Sequence, residues 1–141
     1  MEIVQRRLTL PAKPHGAHLV TIEIVRGLPE LRGFRVGLCH LFLQHTSASL
    51  TINENADPDV RADLADALDR VAPRSAPYRH TAEGPDDMPG HVLSTLVGAG
   101  LTVPIESGAL ALGTWQGLYL VEHRDHAGAR HVVATVIGVK G

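Results

Sequence analysis

The sequence of 141 residues lacks several features that would narrow its class at once. It has one cysteine, Cys39, inside an apolar stretch, so no intrachain disulfide can form and an intracellular protein is expected. The formal net charge of −2 argues against non-specific nucleic-acid binding as the main role. No apolar segment approaches the ~20 residues that cross a bilayer, and the first ten residues contain no apolar signal core. These absences predict a cytoplasmic protein without nucleic-acid or membrane partners.

Signature motifs of several enzyme classes are also missing. The chain has no GxxxxGK[ST] loop, which argues against P-loop nucleotide chemistry, and no GxSxG elbow for a seryl nucleophile. It has no HExxH or paired-cysteine pattern either. The length suits one independent core, and neither a repeat nor a linker divides the chain. We therefore expect a single domain over residues 1–141.

The apolar and polar patterns predict strands near both ends of the chain. Alternating or continuous apolar residues predict strands over 3–10, 35–44, 49–53, 118–122 and 131–137. Ser107-Gly108 suits a tight hairpin turn. Residues 19–28 fit a helix or a strand, and we favour the helix.

Two helices are predicted in the middle of the chain. The clearer one covers 57–71, with Asp57 as its cap and a proline in its first turn. The shorter one covers 88–97, with Asp87 as cap and Gly98 at its end. Strands at both ends with helices between them predict an α+β or sandwich-like domain.

The most conspicuous polar stretch is HTSASLTINENADPDV, residues 45–60, directly after the apolar run 36–43. Polar side chains at the end of a buried strand are typical of a binding or catalytic site. The second half of the stretch is architectural, because it starts a helix and supplies core residues. The functional candidates of the stretch are His45, Thr46, Ser47, Glu54 and Asn55.

Three histidines stand apart from those in loops and at exposed strand positions. His45 and His123 continue the alternating face of their strands, and His91 lies in the first turn of the shorter helix. Imidazoles from three separate elements would form an open metal site of the kind that catalytic zinc occupies. Hydrogen-bonded or exposed histidines without a metal are the competing interpretation.

Carboxylates and arginines lie beside these histidines in the sequence. Glu54, Asp87 and Glu122 are candidates for metal binding or acid–base chemistry, with structural ion pairs as the alternative. Arg124 and Arg130 offer bidentate partners for phosphate.

A second conspicuous block is SGALALGTWQGLYLVEH, residues 107–123. Trp115 is the only tryptophan, and glycines at 113 and 117 permit a close backbone approach or a bulge around it. The ring either walls a pocket, fills a subunit interface or packs in the core. Core packing alone does not explain the polar side chain of Gln116.

The blocks HTSASLTINENADPDV, GPDDMPGH, GALALGTWQG and the closing EHR segment resemble the YjbQ family, small proteins sometimes labelled secondary thiamine-phosphate synthases. The resemblance runs over nearly the whole chain, in the family's order and spacing. It implies an α+β, mainly β fold: a jelly-roll-like β-sandwich with two or three inserted helices, assembled as a homotrimer. Many members read NADAH where this chain has DMPGH, residues 87–91, so a role of that asparagine does not transfer.

The resemblance also implies a site. It makes His45, His91 and His123 the expected ligands of a divalent metal, with Zn²⁺ favoured and Mg²⁺ an alternative for a phosphorylated substrate. The catalytic groups would be Glu54, Asp87 and Glu122. The substrate- or phosphate-binding set would be Thr46, Ser47, Asn55, Trp115, Gln116, Arg124 and Arg130.

Three functions stay open at this point. Thiamine-phosphate synthesis joins a pyrimidine methyl diphosphate to a thiazole phosphate and releases pyrophosphate. The usual enzyme for it is a TIM barrel of ~250 residues, so here it would be a secondary activity. The alternatives are a zinc-dependent hydrolase of a small phosphorylated metabolite and a non-catalytic trimeric module that binds a metal or metabolite.

Overall fold

Eight strands and three α-helices make up the chain in the computed structural model, which describes residues 1–141. The strands are β1 Glu2–Leu10, β2 Gly16–Leu19, β3 Phe34–Leu43, β4 Ala48–Glu54, β5 Gly100–Glu106, β6 Ala109–Leu110, β7 Gln116–Glu122 and β8 Arg130–Lys140. The helices are α1 Thr21–Arg26, α2 Pro58–Val71 and α3 Asp87–Val97, with a 3-10 helix over Pro29–Gly33.

The strands form two antiparallel sheets. Five strands pair in the order β1-β8-β3-β5-β6, and three pair in the order β2-β7-β4. On β3, Cys39, Leu41 and Leu43 are buried and the residues between them are exposed, as the alternation of a strand requires. These side chains share one core with Leu50 and Leu118 of the smaller sheet. The predicted α+β class is confirmed, and none of the helices has the length and apolarity needed to span a membrane.

Local sequence signals account for most element boundaries. Asp57 caps α2 by accepting a hydrogen bond from the backbone N–H of Asp59 at 2.9 Å. The turn between β5 and β6 has positive φ at Ser107 (49°) and Gly108 (79°), as a tight hairpin requires.

Two local predictions are wrong in detail. The helix predicted over 19–28 covers only Thr21–Arg26, because the residues before it pair with β7 as strand β2. Asp87 does not cap α3. Asp86 takes the N-cap position without a side-chain capping bond, and the carboxylate of Asp87 binds two histidines instead.

The outer side of the five-stranded sheet carries a set of exposed apolar side chains, named here the outer apolar face. Leu38 and Ile3 both pair with Ile137 in the strand register, so the three side chains lie side by side. Ile3 is 66 % exposed and Leu38 48 % exposed. The full set is Ile3, Val36, Leu38, Phe42 and Ile137. A cluster of this kind is typical of a surface that contacts another protein chain.

Candidate functional site

Four potential metal ligands meet where α3 joins the loop before it. His80 and Glu83 come from the loop between α2 and α3, and Asp87 and His91 come from α3 itself. The spacing i, i+4 places the two helical side chains on one face of α3. One ligand atom of each residue lies within 4.8 Å of those of the other three, and no other group of three or more such residues meets this condition.

The carboxylate of Asp87 is the centre of this ligand group. Its Oδ2 lies 2.8 Å from Nε2 of His80 and 2.9 Å from Nε2 of His91. An oxygen of Glu83 lies 3.4 Å from the same nitrogen of His80. Four ligands placed about 2.0–2.1 Å from a tetrahedral zinc ion are roughly 3.4 Å apart. The two shorter separations would therefore need to widen by only about half an ångström to admit such an ion.

The ligand group is closed on one side and open on the other. The side chain of Asp87 is 3 % exposed, whereas that of His91 is 30 % exposed. The side chains of His80 and Glu83 are 44 % and 62 % exposed. The group thus has a buried anchor and an accessible face, the arrangement of metal sites that leave a position for water or substrate.

Hydrogen bonding decides which nitrogen of His91 faces the group. Its Nδ1 lies 2.8 Å from the backbone carbonyl oxygen of Thr46, which can only accept, so Nδ1 carries a proton. The neutral ring then has its lone pair on Nε2, which points at the carboxylate of Asp87. Because a carboxylate cannot donate to that lone pair, either a proton or a cation must lie between the two atoms. This orientation by a backbone carbonyl is typical of metal-binding histidines.

The pKa shifts in the group have opposite directions. Burial raises the pKa of Asp87, but the hydrogen bond from His80 and the charge of His91 outweigh burial and hold this pKa below its usual value. The same hydrogen bond raises the pKa of His80. Asp87 is therefore ionised at neutral pH, which is the form that binds a cation.

An ion-pair network surrounds the ligand group. Arg124 Nε lies 3.5 Å from an oxygen of Asp86 and 3.5 Å from Oδ1 of Asp87. Arg74 makes a bidentate pair with Asp125 at 2.8 and 2.9 Å. With neutral histidines, these two guanidiniums face four carboxylates and leave a net charge of −2, which a divalent cation would neutralise. The carboxylates are Glu83, Asp86, Asp87 and Asp125.

A buried ion pair fixes the segment on which His91 rests. Arg130 and Glu122 are 4 % and 0 % exposed and bind each other through two hydrogen bonds of 2.7 and 2.5 Å. Arg130 also donates to the carbonyl oxygen and the hydroxyl of Ser47, at 3.2 and 3.0 Å. These bonds hold the chain beside Thr46, the partner of His91. Glu122 and Arg130, predicted as catalytic and phosphate-binding groups, lie in the interior as a structural pair.

The other two histidines of the predicted trio have different partners. Nε2 of His45 accepts a hydrogen bond of 2.8 Å from the backbone N–H of His131. His123 is 3 % exposed, and its Nε2 lies 2.7 Å from the hydroxyl of Ser49. Burial lowers the pKa of His123 to about 4, so its ring is neutral at pH 7. The structure does not bring the three predicted imidazoles into one ligand group, and only His91 belongs to the group of four.

The remaining predicted site residues lie at the far end of the smaller sheet. Ala48 pairs with Glu122 beside the ion pair, whereas Glu54 pairs with Gln116 at the other end of the same two strands. Six residues of strand separate these ends, a distance of about 20 Å. Glu54 is thus remote from the ligand group.

The residues around Trp115 shape a turn. Nδ2 of Asn55 donates to the carbonyl oxygens of Thr114 and Gln116, at 3.2 and 3.1 Å. Oε1 of Gln116 accepts a 2.8 Å hydrogen bond from the N–H of Gly113. Trp115 itself is 65 % exposed, so the core-packing interpretation of its ring is wrong.

His80 and Glu83 were not among the residues predicted from the sequence. Both lie in an irregular loop, where no hydrophobic period fixes the direction of a side chain. The available signal was the pattern HxxExxxDxxxH over residues 80–91, which spaces four ligand-type side chains three or four residues apart.

Comparison with known proteins assigns the family. A family profile described as "UPF0047 protein YjbQ-like" matches residues 6–139. The chain belongs to the YjbQ family. The family predicted from the HTS, DDMPGH and GTWQG motifs is thus confirmed.

Relatives in this family align over most of the chain. UPF0047 protein YjbQ of Escherichia coli O157:H7 is 49 % identical over 134 residues, which cover 95 % of this chain and 97 % of the relative. UPF0047 protein YugU of Bacillus subtilis is 41 % identical over 103 residues, covering 73 % and 76 % of the two chains.

Solved structures of similar proteins share the fold. An uncharacterized conserved protein of the YjbQ/UPF0047 family from Clostridium acetobutylicum has a TM-score of 0.83 and 35 % identity, over 94 % of this chain and 99 % of that chain. A YbjQ-like protein of unknown function from Sulfolobus solfataricus has a TM-score of 0.86, covering 98 % and 99 % of the two chains. At 20 % identity the latter likeness supports the fold alone.

Proposed function

We propose that this YjbQ-family protein is a metal-dependent enzyme whose divalent cation is held by His80, Asp87 and His91, with Glu83 on the open side. The observation that carries the proposal is the convergence of two imidazole Nε2 atoms on one buried carboxylate oxygen, at 2.8 and 2.9 Å. Two nitrogens and one carboxylate oxygen form a ligand set that zinc commonly has in catalytic sites. Zn²⁺ is therefore the favoured ion, as the family resemblance also implied.

The surroundings favour a small anionic substrate. A cavity of about 320 Å³ lies beside the ligand group, and Arg74, Tyr78, His80 and Met88 contribute to its lining. This volume is at the lower end of the usual range for small-molecule sites, about 300–1,000 Å³. A guanidinium on the wall is suited to a phosphate group.

Hydrolysis of a small phosphorylated metabolite is the reaction class that this arrangement supports best. A bound divalent cation supplies an activated water and polarises a phosphoryl oxygen. Glu83 is 62 % exposed at the open face, so its carboxylate is placed to accept a proton from that side. Asp87 and His91 serve only to hold the cation, because both are fixed by bonds to protein atoms.

Thiamine-phosphate synthesis is the second candidate. It too needs a divalent cation and cationic side chains, in this case to stabilise the departing pyrophosphate. The guanidiniums of Arg74 and Arg124 beside the ligand group would suit that task.

The metal assignment is tested by titrating metal-free, untagged protein with Zn²⁺ in a calorimeter. His80→Ala and His91→Ala should each weaken binding by more than the 10–100-fold that loss of an outer partner typically costs. His45→Ala is the matched control and should bind like the wild type. Loss of binding in His45→Ala with full binding in His80→Ala would instead support the trio of His45, His91 and His123.

The reaction is tested on the same proteins. Zinc-dependent phosphate release from p-nitrophenyl phosphate, abolished by His80→Ala, would support the hydrolase. Formation of thiamine phosphate and pyrophosphate from the two precursors would support the transferase in place of the hydrolase. Tight zinc binding without either turnover would reduce the proposal to a metal-binding module.

We also propose that three copies assemble through the outer apolar face, the homotrimer that the family resemblance implies. Five large apolar side chains are exposed there on neighbouring strands. Fully burying a side chain of this size contributes about 1.5–3 kcal/mol. These five are 37–66 % exposed, so a shared interface would recover about half of that from each.

A further inference from the structure

Arg124 joins the two chain segments that carry the ligand group. One terminal nitrogen of its guanidinium donates a 2.8 Å hydrogen bond to the carbonyl oxygen of Glu83, in the loop that also bears His80. Its Nε lies 3.5 Å from Oδ1 of Asp87, on the helix that also bears His91. No other cation contacts both segments in this way. Arg124 thus adds to the hydrogen bond between His80 and Asp87 in holding the loop against the helix.

The Nε–H group of Arg124 is buried and has no hydrogen-bond partner. An unsatisfied buried donor costs free energy and calls for a physical explanation. Its nearest acceptors are Oδ1 of Asp87 and Oδ2 of Asp86, each 3.5 Å away, just too far for a good hydrogen bond.

The two oxygens of Asp87 face different groups. Oδ2 faces the imidazoles of His80 and His91, whereas Oδ1 faces Arg124. To admit a cation, Oδ2 has to move away from the imidazoles by about half an ångström. A small rotation of the carboxylate that achieves this can bring Oδ1 within hydrogen-bond distance of Nε.

We propose that Arg124 is a positioning and specificity-determining residue of the metal centre: its Nε–H, which has no partner in this structure, pairs with Oδ1 of Asp87 when a cation binds and so restricts this carboxylate to binding the cation through Oδ2 alone. This inference rests on the proposed metal site. Binding through a single carboxylate oxygen suits a four-coordinate ion such as Zn²⁺. Ca²⁺ takes six to eight oxygen ligands and often uses both oxygens of a carboxylate, so Arg124 disfavours it.

This role differs from the phosphate-binding role predicted from the sequence. A phosphate ligand would affect substrate binding and leave metal affinity unchanged. A positioning residue changes metal affinity when no substrate is present, and it also changes the preference between Zn²⁺ and Ca²⁺.

The test is a calorimetric titration of metal-free Arg124→Gln with Zn²⁺ and separately with Ca²⁺, without substrate. We expect Zn²⁺ affinity to fall 10–100-fold, the usual effect of losing an outer partner, and the Zn²⁺/Ca²⁺ affinity ratio to fall with it. Arg124→Lys keeps the charge but loses the planar set of N–H donors, so its Zn²⁺ affinity should lie between those of Arg124→Gln and the wild type. Arg74→Gln is the matched control. It makes the same change of charge beside the same group, touches none of the four ligand residues, and should alter affinity less than about threefold.

Three outcomes separate the inference from the proposed function. Zinc binding that depends on His80 but is equal in wild type and Arg124→Gln would overturn the role of Arg124 alone. An equal loss in Arg124→Gln and Arg74→Gln would overturn it too, because a general charge effect would then suffice. Absence of His80-dependent zinc binding in the wild type would overturn both. Thermal unfolding of the metal-free proteins checks folding, and if Arg124→Gln does not fold, the affinity ratio of Arg124→Lys decides.

Discussion

His45, His91 and His123 have different surroundings because their hydrogen-bond partners differ. The backbone carbonyl of Thr46 fixes the proton of His91 on Nδ1, which leaves Nε2 free to face Asp87. In His45 the corresponding Nε2 is occupied by a backbone N–H, and in His123 it faces a buried serine hydroxyl. The partner of Nε2 thus differs in each ring, and only in His91 is that partner a carboxylate.

The pH dependence of stability should report the burial of His123. Its pKa is lowered from 6.5 to about 4, first by burial and then by the charges of His15 and Arg130. The unfolded chain therefore binds the proton more tightly. The stability due to the neutral ring is complete above pH 6.5 and is lost as pH falls to about 4, a total of about 3 kcal/mol.

Urea unfolding at pH 7 and pH 4.5 measures this effect. The free energy of unfolding of the wild type should fall more between the two pH values than that of His123→Asn, which cannot gain the proton. Parallel losses in the two proteins would show that His123 does not titrate as its burial implies.

At the scale of elements, the ligand group depends on the close approach of α3 to the start of β4. Gly90 makes this approach possible, since a Cβ there would lie 3.2 Å from Cβ of Ser47 and 3.4 Å from Cβ of His123. The hydrogen bond between His91 and Thr46 spans the same contact. Helix packing and ligand orientation are therefore linked.

Substitutions of Gly90 should separate helix propensity from packing. Gly90→Ala gains up to about 1 kcal/mol of helix propensity, which offsets the tight contact, so little change in stability is expected. Gly90→Val should cost about 1–3 kcal/mol through overpacking and should also weaken zinc binding, because α3 moves away from Thr46. Urea unfolding and zinc titration of both variants measure this, and a valine variant as stable and as zinc-competent as the wild type would contradict it.

Elements with a regular period could be predicted from the sequence. Of the ligand group, Asp87 and His91 were predicted as site residues, whereas His80 and Glu83 were not. The alternating pattern placed Leu41 and Leu43 on one face of β3, and the sequence predicted Asp57 as the cap of α2. The position of His80 could not be predicted, because its loop has no hydrophobic period. The side chain of His80 is fixed instead by a hydrogen bond to Asp87 on α3. Sequence patterns left a structural ion pair of Glu122 open beside its catalytic role, and they do not reveal that its partner is Arg130, buried against it.

At the scale of the whole molecule, the outer apolar face and the ligand group are associated with different sheets. The apolar face belongs to the five-stranded sheet, whereas α3 packs against β4 of the three-stranded sheet. The proposed assembly through the first surface would therefore leave the proposed metal site accessible.

A charge placed on the outer apolar face should dissociate the proposed trimer. Leu38→Asp would bury a carboxylate in the interface, which is costly without a partner. Sedimentation equilibrium should give three times the chain mass of 15.1 kDa for the wild type and the single chain mass for the variant. The control is Leu96→Asp, the same change at a 63 % exposed leucine of α3, which should remain a trimer. A wild type that sediments as a single chain would contradict the assembly.

Anomalous X-ray diffraction tests most directly whether a cation binds between His80, Asp87 and His91. Crystals grown with Zn²⁺ and measured on both sides of the zinc absorption edge should show one strong peak about 2.0–2.2 Å from Nε2 of both histidines and from Oδ2 of Asp87. A zinc peak at His45 and His123 with none at this group, or no peak at all, would contradict the proposed metal site.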